Sequence, residues 1–246
     1  MHAQPDYHPR SVENLSTTKT AKSTPSKMTE RLLEVCKEQG IQKLLFIRHA
    51  NANGIVGKSR SDEPHDWKFR DQTRSLSSKG KDQCDSNRFI LNGLNLKANL
   101  TSPARRASDT AALMTLDPKG GDVFLRMVES LHPAGMSTTC EDLFDKMGYG
   151  PLRKFFTVDQ GQDAFEKYAL TVCSELAAKS GGPAVSSLSD GDTVAIFGHA
   201  VFLNAVVYLI AKASGVSDLD IILDADLGEA EGLLLDISIK SVVHLK

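Results

Sequence analysis

The apolar residues of this chain fall into short runs of two kinds. Lys43-Leu-Leu-Phe-Ile47 and Thr193-Val-Ala-Ile-Phe197 are apolar at consecutive positions, the pattern of a strand buried on both faces. Elsewhere the spacing is helical. Leu32, Leu33, Val35 and Cys36 predict a short amphipathic helix ending at Gly40, and Phe89, Ile90 and Leu94 mark the inward side of a helix over residues 78–94. Residues 103–115 read as a helix with proline in its first turn, where the missing N–H costs nothing. Residues 163–179 form a long helix stopped by Gly181-Gly182-Pro183, and residues 201–213 an apolar one. Short strands are expected at 99–101 and 123–128, and two more in the alternating stretch 233–245. Strands interleaved with helices predict an α/β fold, a three-layer αβα sandwich around a mostly parallel sheet.

The stretches without this periodicity are as informative. Residues 1–29 are rich in Ser, Thr, Lys and Pro and bury too little to offset their ordering entropy, so disorder is expected there. From Ser16 to Thr29 there are lysines and hydroxyls but no acidic residue, which suits either a plain tail or an organelle transit peptide. Residues 30–246 then form one domain. Within it, residues 51–73 carry Gly54, Gly57 and Pro64 and read as a long loop. Residues 132–162, with Phe144, Tyr149, Phe155 and Phe156 among glycines and prolines, are expected to cover the site as a lid or insert.

Composition narrows the classes. A net charge of −2 lends nothing to a nucleic-acid partner. The run 201–211 is too short for a bilayer and is broken by Asn204, so no membrane role is expected. Cys36, Cys84, Cys140 and Cys173 form no C-x-x-C pair, which argues against a zinc site and for reduced thiols inside a cell, the cytoplasm by default.

Two strands end alike, in Arg48-His49-Ala50 and in Gly198-His199-Ala200, and ligands bind beyond the carboxyl ends of strands in open α/β sheets. A third segment, Thr101-Ser-Pro-Ala-Arg105-Arg106-Ala-Ser-Asp-Thr110, also runs from a strand into a helix, whose N-terminus suits an anion. Two guanidinium forks and two imidazoles around one tetrahedral anion match the needs of phosphoryl transfer. His49 can attack through one ring nitrogen while the other is held by a carbonyl, and a protonated His199 can donate to the dianion.

These three segments, in this order, resemble the signature set of the histidine phosphatase (phosphoglycerate mutase-like) superfamily. Asp71-Gln-Thr-Arg74-Ser-Leu-Ser-Ser-Lys-Gly80 is similar to a segment of its compact branch, which includes short phosphohistidine phosphatases. The resemblance spans residues 44–199. It implies a phosphoglycerate mutase-like fold, a phosphohistidine on His49, phosphate binding by Arg48, Arg106 and His199, and no metal or other cofactor. It implies Arg106 rather than Arg105, because Arg106 directly precedes the Ala of the Arg-Ala-x-x-Thr pattern.

Glu129 stands near the family's acid/base position, with Asp71 as a rival. Asn51, Arg74 and His132 are neighbours able to reach a substrate, although Arg74 equally suits an ion pair with Asp71. The substrate implied is a phosphorylated small molecule or phosphoprotein, hydrolysed as a phosphomonoester or phosphoramidate. A mutase, a catalytically inactive phosphate-binding protein and a metallohydrolase are the alternatives. Ala50-Asn51, where the mutases usually have Gly-Glu, counts against the first. The sequence does not speak to oligomeric state.

Overall fold

The computed structural model describes residues 25–57, 62, 64–115, 125–133, 138–180 and 192–246. Six strands form one sheet: β1 (Lys43–Arg48), β2 (Leu96–Thr101), β3 (Leu125–Met127), β4 (Thr193–Gly198), β5 (Gly232–Asp236) and β6 (Ser241–Leu245), in the spatial order β3-β2-β4-β1-β5-β6. The first four are parallel, and β5 and β6 add an antiparallel margin beside β1.

The continuous apolar runs have the predicted consequence. Leu44 and Phe46 of β1, with Val194 and Ile196 of β4, enter the larger core, while Leu45, Ile47, Ala195 and Phe197 enter the smaller one on the opposite face. Helices α1 (Pro25–Glu38), α7 (Gly161–Ser180) and α8 (Ala200–Ser214) cover the first face. Helices α3 (Ser78–Asn87) and α4 (Arg105–Thr115) cover the second. The expected three-layer αβα sandwich is the observed architecture.

Register sets the place of the site. Arg48 pairs with Gly198 and Phe197 with Thr101, so β1, β4 and β2 end side by side. The next residues stay in step: the His49 amide donates to the Gly198 carbonyl at 2.9 Å, and the Ser102 amide to the Phe197 carbonyl at 2.9 Å.

Several boundaries differ from the sequence reading. Helix α1 begins at Pro25, ahead of the expected start at Glu30, and Thr29 is buried in it. The stripe from Leu32 onward anchors the helix, which then runs back through residues whose own composition is polar. Residues 1–24 lie outside the described residues.

The loop expected over residues 51–73 contains α2 (Pro64–Gln72), with Pro64 at its first position, Asp66 in its first turn and Arg70 in its last. It lacks an apolar stripe, with Phe69 on the surface, so periodicity could not reveal it. The helix expected to reach Leu94 ends at Asn87 and tightens into a 3-10 turn, Arg88–Leu91. Residues 123 and 124 and the Gly181-Gly182-Pro183 stop lie outside the described residues. The segment 132–162 holds α5 (Thr138–Met147) and α6 (Leu152–Phe156), and α9 (Asp220–Asp224) precedes the last two strands.

Helix α3 is docked against the loop that follows β1. Ser77 caps it, its Oγ accepting from the Gly80 amide at 3.1 Å, while the Ser77 amide donates to the Asn51 carbonyl at 3.0 Å. A Cβ on Gly80 would stand 2.0 Å from the Asn51 carbonyl oxygen, a contact only glycine avoids. Gly80→Ala should lower stability by about 1–3 kcal/mol as the loop is pushed off the helix. Gly54→Ala, whose Cβ would meet nothing within 4 Å, is the control, expected to shift stability by less than ~0.5 kcal/mol in thermal unfolding.

Candidate active site

Each strand end delivers one part of the site. Beyond β1, the Ala50 amide donates to Thr110 Oγ1 at 3.0 Å, and that hydroxyl donates to the Arg106 carbonyl at 2.7 Å. Thr110 on α4 thus ties the His49 segment to the helix that carries Arg106.

His49 donates from Nδ1 to the Ala50 carbonyl at 2.8 Å, which leaves Nε2 with its lone pair. Arg106 Nε donates to that Nε2 at 3.1 Å. Burial, then the charge of Arg106, lowers the His49 pKa to about 3 against the opposing pull of the Ala50 carbonyl. The ring is therefore neutral near neutral pH, its one lone pair held by Arg106.

His199 begins α8 and packs edge-on against His49, ring centroids 5.1 Å apart. Its Nε2 is paired with Ser102 Oγ at 2.9 Å and its Nδ1 accepts from Arg106 Nη2 at 3.3 Å. Burial and Arg106 hold it far below the usual histidine range. In this arrangement His199 is neutral and its proton faces Ser102.

Arg106 is the hub, nearly buried on the first turn of α4. Besides the two histidines it donates from Nη1 to the Asp71 carbonyl at 2.6 Å and from Nη2 to Asp71 Oδ2 at 3.0 Å. Arg48 donates to the Leu227 carbonyl at 2.6 Å and lies over the Tyr149 ring, 5.2 Å from its centroid, while its buried Nε has no partner among the described residues. Arg105 points outward and pairs loosely with Asp109.

Asp71, on the last turn of α2, accepts from Arg106, from Arg74 Nη1 at 3.1 Å and from His132 Nε2 at 3.2 Å. Burial alone would raise its pKa, but the hydrogen bond from His132, the charge of Arg106 and the hydrogen bond from Arg74 hold it below the ordinary carboxylate range. The ion pair foreseen for Arg74 is present, and Arg74 also lines the cavity. Asn51 lines it too, yet its amide is committed: Nδ2 donates to Glu229 at 2.8 Å and Oδ1 accepts from Ser77 Oγ at 2.6 Å.

Glu129 is a correction. It opens the 3-10 turn Glu129–Leu131 after β3, its side chain is exposed, and it does not border the cavity. The turn is rotated by Glu175 of α7, which accepts from the Glu129 and Ser130 amides, both at 2.9 Å, and from Ser130 Oγ at 2.7 Å. That capping turns Ser130 and His132 inward, both buried, and leaves the Glu129 carboxyl outside.

The cavity holding His49, Arg48, Arg106 and His199 has a volume of about 260 Å³, with Trp67, Phe144, Tyr149 and Phe202 among its walls. Glu229, Glu141 and Asp145 also border it and were missed by sequence reasoning. No motif marks them, since they come from a connecting loop and from the covering segment. Among the described residues no group of three or more His, Cys, Asp or Glu could hold a metal ion, and no helix is long and apolar enough to cross a membrane. All four cysteines are buried and none is in a disulfide, burial pushing Cys36 and Cys173 up to about 12.

No family model and no curated protein matches the chain. Solved structures do. A phosphoserine phosphatase from Entamoeba histolytica is 16% identical, with 83% of this chain and 95% of that one covered at a TM-score of 0.47. A mycobacterial glucosyl-3-phosphoglycerate phosphatase is 16% identical, with 82% and 96% covered at 0.48. A candidate α-ribazole-5'-phosphate phosphatase from Escherichia coli is 17% identical, with 83% and 94% covered at 0.48. No residue role follows from likenesses at this level.

Two outcomes follow from the site's charges. The unfolded chain protonates His49 near pH ~6.5 but the native state only near pH 3, so its stabilising share is complete above the former and lost on acidification through that window. His199 acts in the same direction. Between pH ~7 and pH ~5, His49 alone should remove about 2 kcal/mol of stability in denaturant unfolding, a share absent from His49→Gln. Asp71→Asn leaves Arg106 without its carboxylate and should cost about 3–5 kcal/mol at neutral pH by the same measurement.

Proposed function

We propose that this chain is a phosphatase of the histidine phosphatase superfamily, phosphoglycerate mutase-like in fold, hydrolysing a phosphomonoester or phosphoramidate through a phosphohistidine on His49. One observation carries the reading: His49 Nε2 is neutral, fixed by its own Nδ1–H, and in contact with the guanidinium group of Arg106. His199 Nδ1 accepts from the same arginine, but its other nitrogen is tied to Ser102, whereas the His49 ring is otherwise tied only to its own neighbour's carbonyl. That arrangement suits a nucleophile toward a phosphate, because the guanidinium that now occupies the lone pair is the group that would draw the anion to it.

Arg106 and Arg48 neutralise the equatorial oxygens, and the unpartnered Nε of Arg48 is a donor in reserve for them. Nε2 attacks phosphorus in line as the bond to the leaving oxygen breaks. Water then attacks the phosphohistidine, releasing inorganic phosphate and restoring the lone pair. No metal enters either step. Segment 132–162 contributes Phe144 and Tyr149 to the cavity wall, and this supports a role in selecting the organic part of the substrate.

His49→Ala should lose phosphate release by several orders of magnitude, since nucleophile removal leaves only binding contributions. Denaturing the wild-type enzyme during turnover should trap an acid-labile phosphoryl group on His49, and a chelator should leave the rate unchanged. Retained turnover in His49→Ala refutes the reading.

A further inference from the structure

The displacement of Glu129 leaves a proton to be placed on the leaving oxygen and later taken from water. The geometry points to His132 as the general acid and base of the site, with Asp71 as its positioning residue, an inference that rests on the nucleophilic role of His49.

His132 is buried, borders the cavity, and packs its ring 5.3 Å from that of His199, which in turn lies 5.1 Å from His49. Both imidazoles thus pack against the ring of His199 and open onto the same cavity. A phosphate attacked by His49 in that cavity has its leaving oxygen in the space that His132 also borders. Asp71 Oδ2 accepts from His132 Nε2 at 3.2 Å, which fixes the ring and leaves Nδ1 for exchange. Nothing among the described residues bonds that Nδ1.

The Glu175 cap, with a hydrogen bond from Tyr168 to the Leu131 carbonyl at 3.3 Å, holds the turn that presents the ring. Two of the carboxylates that border the cavity, Asp71 and Glu229, fit the task less well. Asp71 is kept ionised by His132, Arg106 and Arg74, and Glu229, which burial would raise, is held down by Asn51 and Gln83.

In the first step His132 Nδ1–H gives its proton to the leaving oxygen as the P–O bond breaks and the N–P bond to His49 forms. The alcohol departs and His132 is neutral. In the second, Nδ1 takes a proton from water while the water oxygen bonds phosphorus. The N–P bond breaks, hydrogen phosphate leaves, and both histidines return to their starting states.

The test compares esters that differ in their need for an acid. Full-length wild type, His132→Gln and His132→Asn are assayed with para-nitrophenyl phosphate, whose phenolate leaves unprotonated, and with benzyl phosphate, whose alkoxide does not. Inorganic phosphate binding is measured for each. The variants should keep phosphate affinity and lose about 10²–10⁴-fold in kcat on benzyl phosphate. On the nitrophenyl ester they should show a burst of one nitrophenolate per enzyme and then stall, with phosphohistidine accumulating.

Unchanged turnover overturns the assignment. So does an equal loss on both esters without accumulated phosphohistidine, or loss of phosphate binding, either of which makes His132 structural. Turnover persisting in His49→Ala is a separate result that removes the nucleophile and this inference with it.

Discussion

The buried contact between Arg106 and Asp71 organises everything around it. Two opposite charges out of water are tolerable only when each also satisfies its remaining hydrogen-bonding capacity. Arg106 does so by spreading over the Asp71 carboxylate and carbonyl, His199 and His49, and Asp71 by collecting Arg106, Arg74 and His132. The consequence is directional. The helix end that carries Asp71, the helix start that carries Arg106 and the turns that carry the three histidines have one mutual arrangement that leaves no charge stranded. The geometry of the candidate site and the solution to a burial problem are the same set of bonds.

The sheet makes this arrangement reachable. Because β1, β4 and β2 end in register, the residues that follow emerge within one small volume, and backbone bonds from His49 and Ser102 to β4 extend the ladder one step past the strands. Side-chain precision at the site therefore descends from the strands, whose inner residues exclude solvent on both faces.

Much of this could be read from sequence because it depends on local pattern. Continuous apolar runs gave the central strands, and Arg-His and Gly-His at their ends gave the residues that now surround the cavity. What could not be read depends on rotation and on contacts distant in sequence. Helix α2 has no apolar stripe, so nothing in its spacing announced it, yet it is what buries Asp71. Sequence pattern put Glu129 at the acid/base position and gave His132 only a place near the substrate. Their placement was decided by Glu175, which grips the turn from α7 and directs one residue out and the other in. Asn51 seemed free to meet a ligand, but its amide is consumed by Glu229 and Ser77.

The attachment of the Arg48–His49 corner to residues 227–231, distant in sequence, has a kinetic side. The Arg48 amide donates to the Glu231 carbonyl, the Ala230 amide to the Arg48 carbonyl, and the Arg48 guanidinium to Leu227. A nascent polypeptide emerging in order would thus present Arg48 and His49 well before the residues that complete their anchoring. The corner is complete only when β5 docks beside β1, and a chain lacking residues 227–231 would lose three of the bonds that hold it.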